Sequence, residues 1–303
     1  MFFQKKSKRV IIKLMKYIDI HIHGGYGVNF NTSGQKEIRE LLRELYLRNI
    51  VAICPTLVGD DFKNLQERFK LFRELKSSQK HGESKILGLH LEGTFLNPKK
   101  PGIQDCSVFM TPDVENFKKL AQGYCDIIKI VTYAPELDKN NAFAKYLEEN
   151  NIKAHAGHTL ATNKGCASAT THHFNAMPNM AHRGENLALD GLFDDNLYCE
   201  IIADLKHVES NMLKLFFALK SPDKIIMVSD ALPAAHCSNE VIFCGKKINK
   251  YGKDDNGVLA GSVMFLDEIV NNVTDKGIIT KYSAEKYVFY NVLHHLGISE
   301  NDI

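Results

Sequence analysis

Five short stretches of the sequence put a metal-binding side chain at the end of an apolar run. They are Asp19-Ile20-His21-Ile22-His23, Gly88-Leu89-His90-Leu91-Glu92-Gly93, His155-Ala156-Gly157-His158-Thr159, Thr171-His172-His173-Phe174-Asn175 and Met227-Val228-Ser229-Asp230-Ala231. His21 and His23 stand two apart on a predicted strand. Their imidazoles therefore share a face and can chelate one ion. The Gly24-Gly25 pair that follows lets the backbone turn tightly. Taken alone, a His-x-His pair is weak evidence and is better explained by ordinary surface or core histidines. Glu92 ends an apolar run, where a carboxylate is costly to bury unless it is paired or bound to a metal. It is a structural ion-pair partner or a ligand, and a ligand carboxylate can bridge two cations. His172 and His173 cannot both point inward from a regular strand, so we assign His172 as a ligand and His173 to packing or to support behind the ligands. His158 is assigned as a ligand, and His90 and His155 to packing. Asp230 precedes a proline-containing loop. It is a helix cap, a loop ion-pair partner, or a ligand that also accepts a proton. A carboxylate beside water acidified by a metal can take its proton and later deliver one to a leaving amine. His and carboxylate donors suit zinc or iron.

Side chains so scattered in sequence need a frame that brings them together. Short β-rich runs occur at 17–22, 50–54, 86–91, 127–131, 152–155, 169–172, 198–203 and 225–228. Several are nearly continuous in apolar residues, as strands buried on both faces must be. Helical patterns lie between them, including 35–48 and 62–76. In the first, Ile38, Leu41, Leu42, Leu45 and Tyr46 fall on one face. Alternating strand and helix signals predict a parallel sheet, and eight strands predict an α/β (β/α)8 barrel of the TIM type. In such a barrel the C-terminal strand ends converge on one face, so the five motifs can form one metal site. That arrangement suits a water-activating hydrolase better than a binding module. After the eighth strand, 241–248 and 257–259 read as a hairpin insert within 237–262, with Asp254-Asp255-Asn256-Gly257 as its turn. Two helices are expected next, over 265–274 and 283–296, the second capped by Ser283.

The chain has 303 residues, 44% hydrophobic and 24% charged, with a net charge of +2. These values fit one globular barrel domain over 1–303, with 1–16 as an N-terminal extension. They give no reason to expect nucleic acid. The basic run Lys5-Lys6-Ser7-Lys8-Arg9 reads as a solvated terminus. No apolar stretch approaches the roughly 20 residues needed to cross a bilayer. The N-terminus lacks the apolar core and small-residue cleavage site of a signal peptide. Seven scattered cysteines without C-x-x-C pairs, with Cys54, Cys125 and Cys199 in or beside apolar runs, point to free thiols in a reducing cytoplasm.

The ordered series His21-Ile22-His23-Gly24-Gly25, His90-Leu91-Glu92-Gly93, Ala156-Gly157-His158-Thr159, His172-His173-Phe174-Asn175-Ala176-Met177-Pro178, Ala203-Asp204 with His207-Val208, Ser229-Asp230-Ala231 and Leu259-Ala260-Gly261-Ser262 resembles the N-acetylglucosamine-6-phosphate deacetylase family of the amidohydrolase superfamily. The resemblance runs from Tyr17 to the C-terminus. It implies a divalent-metal hydrolase that releases acetate from an N-acetylated amino-sugar phosphate. It implies substrate contacts from Ile103, Gln104, Asn175, Ala176, Arg183, Asp204, His207, Leu259, Ala260 and Gly261. Arginine forks and neutral amides suit a phosphate. In some relatives an arginine reaches across a dimer interface, so a homodimer is expected. Some relatives lack the His-x-His pair and use one ion, so its presence here favours two ions over one.

The sequence also departs from that pattern. The family carries a small β-domain built from segments on either side of the barrel, and it is expected to be absent here. Thr94 stands where a proline usually follows the glycine, Leu205 where glycine is usual, and Ser229 where threonine is common. Every ligand position is retained. Two rivals stay open: an amidohydrolase acting on another amide or cyclic amide, and a degenerate barrel kept as a binding protein.

Overall fold

The computed structural model describes residues 14–303; the basic run at 5–9 and most of the 1–16 extension lie outside them. Eight parallel strands follow one another in sequence order around a nearly closed barrel. They are β1 (Tyr17–Ile22), β2 (Ile50–Leu57), β3 (Leu89–Phe95), β4 (Ile128–Tyr133), β5 (Lys153–Ala156), β6 (Ala169–Thr170), β7 (Tyr198–Ile202) and β8 (Ile225–Val228). Closure between β8 and β1 is made past the end of β8. There the Asp230 N–H donates to the His21 carbonyl at 2.8 Å, and the His23 N–H donates to the Ala231 carbonyl at 2.8 Å.

The apolar faces of the helices seal the outside of the barrel. Ile38, Leu41, Leu42 and Leu45 of α1 (Gln35–Leu47) are buried at its three-and-four spacing, while Tyr46 stays exposed at the edge of the stripe. In α2 (Phe62–Ser77), Leu65, Phe69, Phe72 and Leu75 do the same, and the Asp61 carboxylate caps the first turn by accepting from the Asn64 N–H. Shorter helices α3 (Val114–Leu120), α4 (Ala142–Glu149), α5 (Leu187–Phe193) and α6 (Ser210–Leu219) complete most of the ring. The connection from β5 to β6 is an irregular loop, and His158 lies on it. Among the described residues no helix is long and apolar enough to cross a membrane.

Two expectations need correction after β8. The segment 241–248 is not one strand paired with 257–259. It folds on itself as β9 (Val241–Phe243) and β10 (Lys246–Ile248), because Cys244 and Gly245 take φ of 50° and 72° and make a tight turn. The Asp254–Gly257 turn is real, but it closes a single bridge between Lys253 and Leu259. Beyond α7 (Leu266–Asp275), the last helix α8 begins at Lys281–Glu285, passes through a π-helical turn at Lys286–Tyr290 and continues as Asn291–Leu296. Thr280, not Ser283, caps it: the Thr280 hydroxyl accepts from the Ser283 N–H.

Candidate active site

All five motifs arrive at the C-terminal mouth of the barrel. His21 belongs to β1 and His23 lies just past it. Glu92 sits inside β3, with the glycine behind it demanded by packing: a Cβ on Gly93 would stand 1.8 Å from the Gly59 backbone nitrogen. His158, His172 and Asp230 each follow a strand end in the left-handed region, with φ of 47°, 30° and 51°. For side chains other than glycine this costs on the order of 1 kcal/mol or more each. The turn at His172 explains why β6 stops at Thr170, earlier than expected. It also sends the two adjacent histidines apart. His172 faces Glu92, while His173 donates from Nε2 to the Ala188 carbonyl and accepts at Nδ1 from Thr170.

Glu92 stands at the centre with its two oxygens turned to different neighbours. Oε1 lies 2.8 Å from His172 Nε2 and 3.1 Å from His158 Nε2. Oε2 lies 3.2 Å from His23 Nε2 and 3.4 Å from His21 Nε2. Asp230 Oδ1 approaches the same pair, at 3.1 Å and 3.5 Å. His21, His23 and Glu92 form one potential metal-binding group, and Glu92, His158 and His172 another.

The hydrogen bonds behind these rings test whether a cation fits. His158 donates from Nδ1 to the Lys100 carbonyl at 2.7 Å, so in its neutral form its Nε2 is a lone pair aimed at Glu92. His21 faces the Glu200 carboxylate through Nδ1 at 3.1 Å, and its buried Nε2 has no hydrogen-bond partner. Lone pairs turned toward carboxylate oxygens repel unless a cation stands between them, so the donor set fits divalent ions. With no ion between them, protons on the imidazoles must supply the positive charge these carboxylates demand. Burial would raise the Glu92 carboxyl, yet the charge of His21 and hydrogen bonds from His158 and His172 hold it well below the usual range. Burial would lower His21 and His23, yet Glu92 and Asp230 raise both.

A cavity of about 370 Å³ opens above this cluster. His23, Glu92, His158, His172 and Asp230 line it, together with Ile103, Gln104, Asn175, Ala176, His207, Leu259 and Ala260. Phe243 on the hairpin also lines it, its ring centroid 5.2 Å from that of His23. The expected substrate residues divide into groups. The Gln104 side chain is committed to the backbone, accepting from Gly59 N–H and donating to the Glu92 carbonyl. Asp204 does not line the cavity. It is buried beneath His207 and accepts from its Nδ1 at 2.8 Å. Gly261 supports Asp230 from behind: a Cβ there would lie 2.8 Å from the Asp230 carbonyl oxygen. Arg183 is exposed on the 179–186 loop and does not line the cavity of its own chain.

The chain is 32% identical over 264 residues to N-acetylglucosamine-6-phosphate deacetylase of Bacillus subtilis (strain 168), covering 83% of this chain and 67% of that one. It belongs to the N-acetylglucosamine-6-phosphate deacetylase family. N-acetylgalactosamine-6-phosphate deacetylase of Escherichia coli O157:H7 is 24% identical over 294 residues, with 93% and 77% covered. The solved structure of N-acetylglucosamine-6-phosphate deacetylase from Pasteurella multocida superposes with a TM-score of 0.83 at 26% identity, over 94% of this chain and 76% of that one. No family model matches the chain.

The departures from the family pattern are absorbed locally. Leu205 takes the left-handed φ of 64° that a glycine would adopt without cost. Ser229 still ties the strand end, its hydroxyl accepting from the Ala231 N–H. The sequence reading missed Lys99 and Lys100, which line the cavity, and Glu200, which is fully buried behind His21. An ionisable residue inside the apolar run Tyr198–Ile202 was the signal for Glu200. His155 also does more than pack: it joins Glu200 at 3.0 Å and His295 at 2.8 Å.

Proposed function

We propose that this chain hydrolyses the acetamide of N-acetylglucosamine 6-phosphate to acetate and glucosamine 6-phosphate, using two divalent ions. The observation that carries the reading is the division of the Glu92 carboxylate between two histidine groups. His21, His23 and Asp230 would hold one ion, His158 and His172 the other, with Glu92 shared and zinc or iron as the metal. Such ions would supply acidified water and polarise the acetamide carbonyl. Asp230 accepts the water proton at its carboxylate and returns one to the departing amine. Asp204 fixes His207 through Nδ1 and so turns Nε2 toward the sugar. Ile103, Leu259 and Ala260 give the sugar an apolar wall, and Asn175 and Ala176 meet its polar edge. Arg183 reaches the phosphate from the partner in a homodimer, a role its exposed loop allows. The barrel acts as one domain with 237–262 as an insert over the cavity, and seven free thiols accord with a cytoplasmic enzyme.

The test is acetate release from metal-loaded protein, with bound metal measured on the same sample. We expect turnover on N-acetylglucosamine 6-phosphate well above that on free N-acetylglucosamine, with more than one ion per chain. Equal specificity constants for the two sugars would move the assignment to another amidohydrolase. Preference for N-acetylgalactosamine 6-phosphate would change the sugar but keep the chemistry. A plateau at one ion would end the two-ion form.

A further inference from the structure

Glu200 is fully buried on β7, and its carboxylate meets three groups. Oε2 lies 3.1 Å from His21 Nδ1 and also accepts from the His172 backbone N–H at 3.3 Å. Oε1 lies 3.0 Å from His155 Nδ1, and His155 Nε2 lies 2.8 Å from His295 Nε2. One assignment of protons satisfies every contact. His295 donates to His155, His155 donates to Oε1, and His21 and the His172 amide both donate to Oε2. All three imidazoles are then neutral, and His21 keeps its Nε2 lone pair toward Glu92. His21 and His172 belong to different halves of the proposed metal centre, so one buried side chain touches both. The contact to His172 falls on a backbone held at φ of 30°, a conformation that needs support from its surroundings.

We propose that Glu200 is a positioning residue for both halves of the metal centre: it sets the tautomer of His21 and tethers the turn that aims His172. The inference rests on the two-ion reading above. Without an acceptor behind it, His21 is free to carry its proton on Nε2, where that proton occupies the lone pair facing Glu92 and Asp230. A carboxylate offers about four lone-pair sites on two oxygens and can meet all three donors. A glutamine has one acceptor oxygen and brings two N–H groups that need partners. A leucine offers nothing.

The test compares the intact chain with Glu200→Gln and Glu200→Leu. Each metal-free protein is melted to confirm the fold, then titrated with zinc against a chromophoric chelator. Cobalt is then substituted and its visible spectrum recorded. We expect both zinc equivalents to weaken, roughly tenfold in Glu200→Gln and toward 100-fold in Glu200→Leu, with an altered cobalt spectrum. Glu200→Gln keeps the volume and carries the test by itself if the leucine variant does not fold. Wild-type zinc affinity in a folded variant would overturn the proposal, whatever its melting temperature. Weakening of one equivalent alone would overturn the claim that Glu200 serves both halves. An intact chain that binds no zinc would defeat the two-ion reading instead, which separates the two failures.

Discussion

Asp230 Oδ1 lies 3.1 Å from His23 Nε2, and the contact spans the seam where the last barrel strand meets the first. The same two segments are stitched by backbone bonds, Asp230 N–H to the His21 carbonyl and His23 N–H to the Ala231 carbonyl. Asp230 is held from the other side as well, since its carbonyl accepts from the Ser262 N–H at 2.9 Å. The contacts that close the barrel therefore also bring Asp230 to His21 and His23. A residue at φ of 51° is kept there by bonds on both flanks.

Asp230→Asn should keep the fold and lose most turnover, because an amide cannot accept the water proton. Loss of a general base costs roughly 10²–10⁴-fold in rate. Bound metal must be measured on the variant, since Asp230 also faces His21 and His23. Near-normal turnover in metal-replete Asp230→Asn would remove it from this role.

Arg183→Ala should weaken N-acetylglucosamine 6-phosphate by roughly 10–100-fold and free N-acetylglucosamine much less, as loss of a charge-assisted fork implies. If the arginine acts across a dimer, mixing Arg183→Ala with Asp230→Asn chains restores activity, because mixed dimers contain one complete site. Failure of the mixture to recover would confine Arg183 to its own chain or to no role.

His173 makes stability depend on pH. Burial pushes its imidazole down to about 4, against roughly 6.5 in the unfolded chain. The unfolded state therefore binds the extra proton between these values. The contribution is fully present above about pH 6.5 and is lost as pH falls toward 4, amounting to about 3 kcal/mol. Urea unfolding of metal-free protein at pH 7 and pH 5 should show a larger loss in the intact chain than in His173→Gln. Parallel losses would contradict this.

Gly93→Ala should lower stability by about 1–3 kcal/mol or more, since even one methyl collides with the Gly59 backbone. Because Glu92 is the neighbouring residue, zinc affinity should fall with it. A melting temperature within a degree of the intact chain would show that the two loops can separate at little cost.

Much of this architecture was legible because its determinants are local. Apolar runs of strand length, three-and-four spacing in α1 and α2, and the pairing of each candidate metal ligand with a strand end all lie within a few residues of one another. The separation of His172 from His173 followed from strand alternation, although it is a left-handed turn that accomplishes it. The family resemblance supplied residues that spacing does not reveal. Of these, Asp204 supports His207 from below, and the Gln104 side chain is spent on backbone groups.

The amino-acid order by itself determined the alternation of barrel strands and helices, the candidate ligand types and the hydrolytic chemistry they suit. Each depends on residue type and short-range periodicity. Tertiary structure alone decided how the Glu92 oxygens are shared, that Glu200 stands behind His21 and beneath His172, and that the hairpin brings Phe243 against His23. It also left Arg183 outside the cavity of its own chain. These are contacts between segments distant in sequence. They are set by barrel closure and by side-chain direction at strand ends, which no local pattern encodes.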